Sequence, residues 1–256
     1  MIKYRLPRNI IARMQSLEYA RSFLAARILL DKINANMIIS GAFGLFEKKT
    51  VIAVGGYDNS TMGEDMELVV RLHEFSRMNR KPYKIDFAQD AICWSQTPEK
   101  LSELGKQRKR WQRGLFQCMW GHRKMLANPR YGAVGLLSYL YFLLYELLSP
   151  FIELLGVLTM VLSVMMDMLN VKFMLVFLAY YALYGILLTL TAYFSRIYTI
   201  DQRFSFRELI LAITACFFET TFLRFYLEFV RVTAFVGYKK NKLNWDKLER
   251  KKMNRI

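Results

Sequence analysis

Between Tyr131 and Tyr238 the chain is dominated by Leu, Phe, Tyr, Met and Val, and that run constrains the fold more than any other feature. Hydrocarbon offers backbone N–H and C=O groups no partners, so an apolar stretch that enters lipid must be helical. Roughly 20 apolar residues are needed to span a bilayer. Leu136 to Met168 is long enough but is interrupted by Ser149-Pro150 and carries Glu146 and Glu153, so a kinked span or an interfacial helix followed by a span is expected. Val171 to Phe194 is the cleanest membrane segment. Leu209 to Val236 is apolar but holds Glu219, Arg224, Glu228 and Arg231. Charges at membrane depth are costly, so this third segment is expected to pack against protein or lie partly at the interface.

Up to Arg130 the sequence mixes charged and apolar residues as a soluble domain does, and from Lys239 it is strongly basic. The expected organisation is therefore residues 1–130, a membrane region over 131–238 with two to three helices, and a basic tail over 239–256. Lys and Arg outnumber Asp and Glu by 37 to 21, a formal charge of +16. Such a balance suits nucleic acid, an anionic membrane surface or a phosphate-bearing substrate. The basic clusters sit beside the apolar runs, which follows the positive-inside tendency and argues against nucleic acid. Cys93, Cys118 and Cys216 have neither metal-ligand spacing nor the even number of a disulfide framework, and His73 and His122 stand alone in the sequence, so no metal site is expected from them. The opening MIKYRLPRNI lacks the apolar core of a signal peptide and reads like the middle of a larger protein.

Within residues 1–130, helical periodicity runs over 9–30, with Ile10, Met14, Leu17, Ala20 (or Arg21) and Leu24 near one face. Met37 to Phe46 and Lys84 to Trp94 read as extended segments, the first with two glycines. A short helical stretch, Glu47 to Val54, leads into the turn Gly55-Gly56-Tyr57-Asp58. Thr61-Met62-Gly63-Glu64 fits a capping box and opens a helix over 62–78 that buries Met62, Met66, Val69, Val70 and His73. A basic helix is expected over 99–127. This is a mixed α/β pattern with too few strands for a doubly wound sheet.

Three groups carry chemistry. In Gly63-Glu64-Asp65, Asp65 falls in the first helical turn, where free N–H groups and the helix dipole favour an ionised carboxylate. Such a carboxylate is a suitable general base for a hydroxyl nucleophile, although acidic first turns also simply stabilise helices. In Gln107-Arg108-Lys109-Arg110-Trp111, helical spacing groups Gln107, Arg110 and Trp111. An arginine can hold phosphate bidentately and a tryptophan can stack on a sugar ring. The same helix also suits a basic amphipathic segment on anionic lipid. In Ser40-Gly41-Ala42-Phe43-Gly44 the missing side chains admit a ligand to the backbone, as they would also admit a bulge.

Taken in order, SGAFG, GGYD, GED with an apolar helix, CWSQTP, QRKRW and then YELLSPFIELLG resemble the processive family 2 glycosyltransferases, the membrane synthases of cellulose, chitin, hyaluronan and poly-N-acetylglucosamine. The likeness runs from about Ile10 into the tail. It implies the C-terminal part of a GT-A-like α/β domain followed by α-helical membrane segments. It further implies that Asp65 is the general base of an inverting transfer from a UDP-sugar. Gln107, Arg110 and Trp111 would hold the acceptor end of the glycan and clamp the donor diphosphate, with Ser40, Gly41 and Glu64 beside the acceptor. The expected location is the plasma (inner) membrane, multi-pass, with the soluble part cytoplasmic.

The sequence departs from the family in two respects, and the first is that the family's usual N-terminal membrane helices are absent. The family's uridine-binding Asp and D-x-D metal motif have no counterpart before Ser40, and no D-x-D occurs anywhere in the chain. The Mg²⁺ or Mn²⁺ expected for the family thus lacks its ligands here. The chain is expected to be inactive alone and to need a separate N-terminal half or synthase subunit. The competing expectation is a non-catalytic membrane remnant or partner subunit.

Overall fold

The computed structural model describes residues 9–21, 27–88, 91, 93, 95–200, 206–239 and 243. These form helices α1 (Ile10–Arg21), α2 (Arg27–Lys32), α3 (Lys48–Ala53), α4 (Glu64–Met78) and α5 (Leu101–Gly121), then short 3₁₀ turns at Arg123–Met125 and Pro129–Tyr131. There follow α6 (Val134–Leu147, largely π-helical), α7 (Ser149–Met165), α8 (Val171–Ile200), α9 (Phe206–Phe218), a π turn at Glu219–Leu223, and α10 (Arg224–Thr233).

The α/β expectation is overturned: among the described residues 69% are helical and there is no strand. The physical reason lies in where the extended segments find their hydrogen bonds. The Asn34 side-chain amide donates to Tyr83 O (3.0 Å) and accepts from Ile85 N (2.9 Å), and Asp31 Oδ1 accepts from Phe87 N (2.8 Å). One asparagine side chain thus takes the place a neighbouring peptide group would have in a ladder. His73 Nε2 pairs with Asn36 O at 2.8 Å. With these backbone groups met by side chains, the two segments form no ladder with each other among the described residues, because strand propensity needs a partner edge to be realised. Of the second segment, Trp94 lies outside the described residues, as does Leu24 of the first helical face.

The helix expected over 62–78 begins at Glu64, with acidic residues in its first turn and Arg77 in its last. Met62, Met66, Val69, Val70 and His73 are all buried. The capping box does not form: Gly63 is the N-cap and no side chain caps it. Thr61 is drawn instead to Gln117, which accepts from Met62 N at 2.8 Å and meets Thr61 Oγ1 at 3.1 Å.

Two apolar clusters hold the molecule together, and α5 belongs to both. Its C-terminal half places Cys118 and Met119 with Met37, Met66, Tyr139 and Phe142. Its N-terminal half places Leu104 with Met14 and Leu17 of α1 and with Cys216 and Leu227 of α9 and α10. The two helices long and apolar enough to cross a membrane are Val171–Leu188 within α8 and Ile210–Thr233, with a third if the pair α6–α7, bent by 44°, counts as one span. The bend falls at Ser149-Pro150, where proline has no N–H to continue the helix.

The charges of the third segment face protein. Arg224 donates to Glu153 of α7 and lies over the Tyr181 ring of α8. Arg231 donates to Glu228 and, at 2.9 Å, to Gln112 of α5.

Candidate active site

The site is assembled around the N-terminus of α4. Gly41 N donates to Asp65 Oδ2 at 2.9 Å, and Met66 N donates to Asp65 Oδ1 at 2.8 Å. Each carboxylate oxygen is therefore engaged by a backbone donor, which fixes the rotamer while leaving lone pairs on a half-exposed group. A Cβ on Gly41 would lie 3.3 Å from Asp65 Oδ2, so the Ser40-Gly41 loop approaches the carboxylate through the absence of a side chain. Ser40 and Glu64 are half-buried on either side.

Asp65 is carried on a helix that touches α5 backbone to backbone. A Cβ on Gly114 would stand 2.7 Å from Gly63 N and 2.8 Å from Gly63 Cα. Glycine at both positions is what lets GED cross the QRKRW helix this closely. The crossing point is two residues before Asp65 and three after Trp111.

Around Trp111 the QRKRW residues divide in role. Arg108 is buried and makes a two-pronged ion pair with Glu18 of α1, at 2.7 and 2.6 Å. Its guanidinium lies 4.7 Å from the Trp111 ring centroid and 5.9 Å from that of Tyr19, whose ring sits 6.3 Å from Trp111 on the same side. Burial disfavours the Arg108 charge, but Glu18 outweighs it and raises the pKa of the guanidinium. Burial likewise pushes the Tyr19 hydroxyl up to about 12. Trp111 is 41% exposed, one face braced and the rest open. Gln107 Oε1 is buried without a hydrogen-bond partner among the described residues, and Arg110 is half-buried.

Sequence spacing missed several contributors. Arg27 of α2 is one: burial draws its pKa down to about 10, while the nearby Asp65 and Glu146 carboxylates work to retain its charge. Gly114, Gln117 and His122 are others: Gly114 shares the face of 107, 111 and 118 on α5, Gln117 lies off that face, and His122 follows the last turn of the helix. The two histidines that stand alone in the sequence have partners in space. His73 meets Tyr83 Oη at 2.7 Å, and burial lowers its pKa to about 4, while His122 meets two carboxylates of α4.

No group of three or more His, Cys, Asp or Glu among the described residues is placed to hold a metal ion. These residues therefore do not fit a divalent-metal site by themselves, and no step is assigned to one.

A family model described as glycosyl transferase family group 2 matches residues 2–236. The chain belongs to that family. Relatives of this family 2 glycosyltransferase include the poly-beta-1,6-N-acetyl-D-glucosamine synthases of Staphylococcus aureus (strain COL) and Staphylococcus epidermidis (strain ATCC 35984). Each is 32% identical over 120 residues, which is 47% of this chain and 26% of the relative. The matched stretch thus covers about a quarter of these synthases. No solved structure matches.

Proposed function

We propose that this family 2 glycosyltransferase supplies the acceptor side of a membrane polysaccharide synthase, transferring a sugar from a UDP-sugar to a growing glycan with inversion. The observation that carries the reading is the Asp65 carboxylate, held at 2.9 Å by Gly41 N at the start of α4. Inverting transfer needs one base aligned with the acceptor hydroxyl, and a carboxylate on a rigid helix start meets that need. Trp111, braced by Arg108 and Tyr19, offers a ring face for the terminal sugar, with Gln107 and Arg110 next to it. Ser40, Gly41 and Glu64 border the acceptor. The relatives' product makes N-acetylglucosamine the first donor sugar to test.

In this reading the protein sits in the plasma (inner) membrane with residues 1–130 on the cytoplasmic side. A separate half with the donor and metal ligands completes the site, since no such cluster lies among the described residues. That same observation favours the second reading, a non-catalytic partner subunit. UDP-N-acetylglucosamine-dependent polymer synthesis by membranes separates the two. The chain is assayed alone and with a family N-terminal half carrying D-x-D, with Asp65→Asn in each arm. Synthesis only in the paired arm, and abolished by Asp65→Asn, supports the first reading. Paired synthesis indifferent to Asp65→Asn removes Asp65 as the base and leaves the partner-subunit reading.

A further inference from the structure

His122 caps the C-terminal end of α5, and its ring is wedged against α4. Nδ1 lies 2.6 Å from Glu74 Oε2 and Nε2 lies 3.3 Å from Glu67 Oε1. The ring and the Glu67 side chain are each only 11% exposed. Ionised carboxylates accept hydrogen bonds and donate none, so an imidazole facing one on each nitrogen bonds to both only when each nitrogen carries a proton. Glu67 is held in turn by Arg71, through Nε and Nη2 at 2.9 and 2.8 Å. Arg71 also donates to the carbonyls of Val54 and Gly56 and so anchors the GGYD turn.

We infer that His122 is a positioning residue, a cationic clamp that ties Glu67 and Glu74 to the end of α5 and so fixes the α4 start bearing Asp65 against the QRKRW helix. This deepens the function proposed above and rests on it for the role of Asp65. The lever arm is short: Glu67 is two residues past Asp65, and the clamp sits at the end of the helix that carries the Gly63–Gly114 crossing. Three contacts between the two helices, Gly114 to Gly63, Gln117 to Met62 N and His122 to Glu67, set the register of α4. Losing the third leaves the other two to hold a helix whose first turn carries a proposed catalytic group.

Glu67 and Glu74 of α4 face the ring, and beyond them Arg71 holds Glu67, Cys118 of α5 lies near Glu67, Tyr131 lies near Glu74, and Arg123 turns away to Trp120. Burial opposes the imidazolium, but the two carboxylates outweigh it and raise the His122 pKa above its ordinary value. A cation also suits a helix C-terminus.

The test is hydrogen–deuterium exchange of residues 64–70 in the full chain in detergent, at about pH 6 and about pH 9, either side of the usual histidine range. After correction for intrinsic exchange, protection in the wild type is expected to fall about tenfold at the higher pH, an opening shift of about 1.4 kcal/mol. In His122→Lys, where the cation persists to about pH 10, protection stays level. In His122→Gln it is low at both. Equal protection in wild type and His122→Gln at both pH values overturns the clamp. Nitrogen-15 spectra of the ring supply a check that needs no variant: two protonated nitrogens at neutral pH are expected, and a neutral tautomer overturns the proposal. If polymer synthesis is absent in every arm while exchange and spectra follow expectation, the proposed function fails and the clamp stands.

Discussion

Gly114 and Gly63 meet backbone to backbone, so close that a methyl group on Gly114 would overlap the Gly63 nitrogen at 2.7 Å. Neither atom in the way is the end of a flexible side chain, so relief requires moving α4 off α5. Gly114→Ala is expected to cost about 1–3 kcal/mol, the range for overpacking. At about 2–4 °C per kcal/mol, thermal unfolding in detergent reads it directly. Gly121→Ala, where nothing lies within 4 Å of the added carbon, serves as the control with little change.

The Gly41 loop should show the opposite balance, with function lost and stability kept. A Cβ there would sit 3.3 Å from Asp65 Oδ2 in an exposed loop, a contact that a shift of a few tenths of an ångström relieves. Gly41→Ala is expected to lower kcat about tenfold or more in the paired synthesis assay, because small displacements of reacting groups are costly. The melting temperature should stay near that of the wild type.

The His122–Glu67 contact makes the α4–α5 packing pH-dependent, and the sign differs for its two members. Glu67 feels burial first, but His122 and Arg71 prevail and hold it below its ordinary 4.5. Its contribution is therefore present above pH 4.5 and fades as the pH falls below that. His122 is raised above its ordinary 6.5, so its contribution is complete below pH 6.5 and fades as the pH climbs through its raised value. Together they place the strongest clamping between pH 4.5 and 6.5. Melting temperatures measured across pH 4 to pH 9 should show this plateau, and Glu67→Gln should remove the acid limb.

Between α10 and α7 the pair Arg224–Glu153 invites a double-mutant cycle. Either single change to leucine strands one charge in an apolar setting, whereas changing both removes the need for a partner. The coupling energy is expected within about 0.5–3 kcal/mol, the range for contacting residues. Denaturation of the four proteins in one detergent measures it, and additive single effects would show that the pair contributes nothing.

The sequence spoke most clearly where one residue pattern answered to one physical demand. The buried face of α4 followed from a 3.6-residue period, and the apolar runs marked the membrane-length helices. For Leu209 to Val236 the cost of its charges in lipid left packing against protein or a partly interfacial position open, and Arg224 and Arg231 are paired with Glu153 and Glu228. The extended segments were misread as strands because a strand is a relation between two stretches of chain. Nothing local announces that Asn34 will serve as the pairing edge for Tyr83 and Ile85. The roles of Arg27 and His122 were hidden for the same reason: their partners lie on other helices, and a single charged residue in sequence looks like any other.

That α5 shares its two ends between separate apolar clusters has a practical meaning for anyone handling this protein. Gln112 is bonded to Leu147 O and Arg231, and Arg113 to Ala234 O at 2.8 Å, so its middle is tied to the same region. Truncation after Arg130 would strip those partners from the helix that braces Trp111 and leave Leu104 and Met119 facing water. Residues 131–238 thus hold the helix that carries Trp111 in place, and a piece ending at Arg130 is not expected to keep the site's shape.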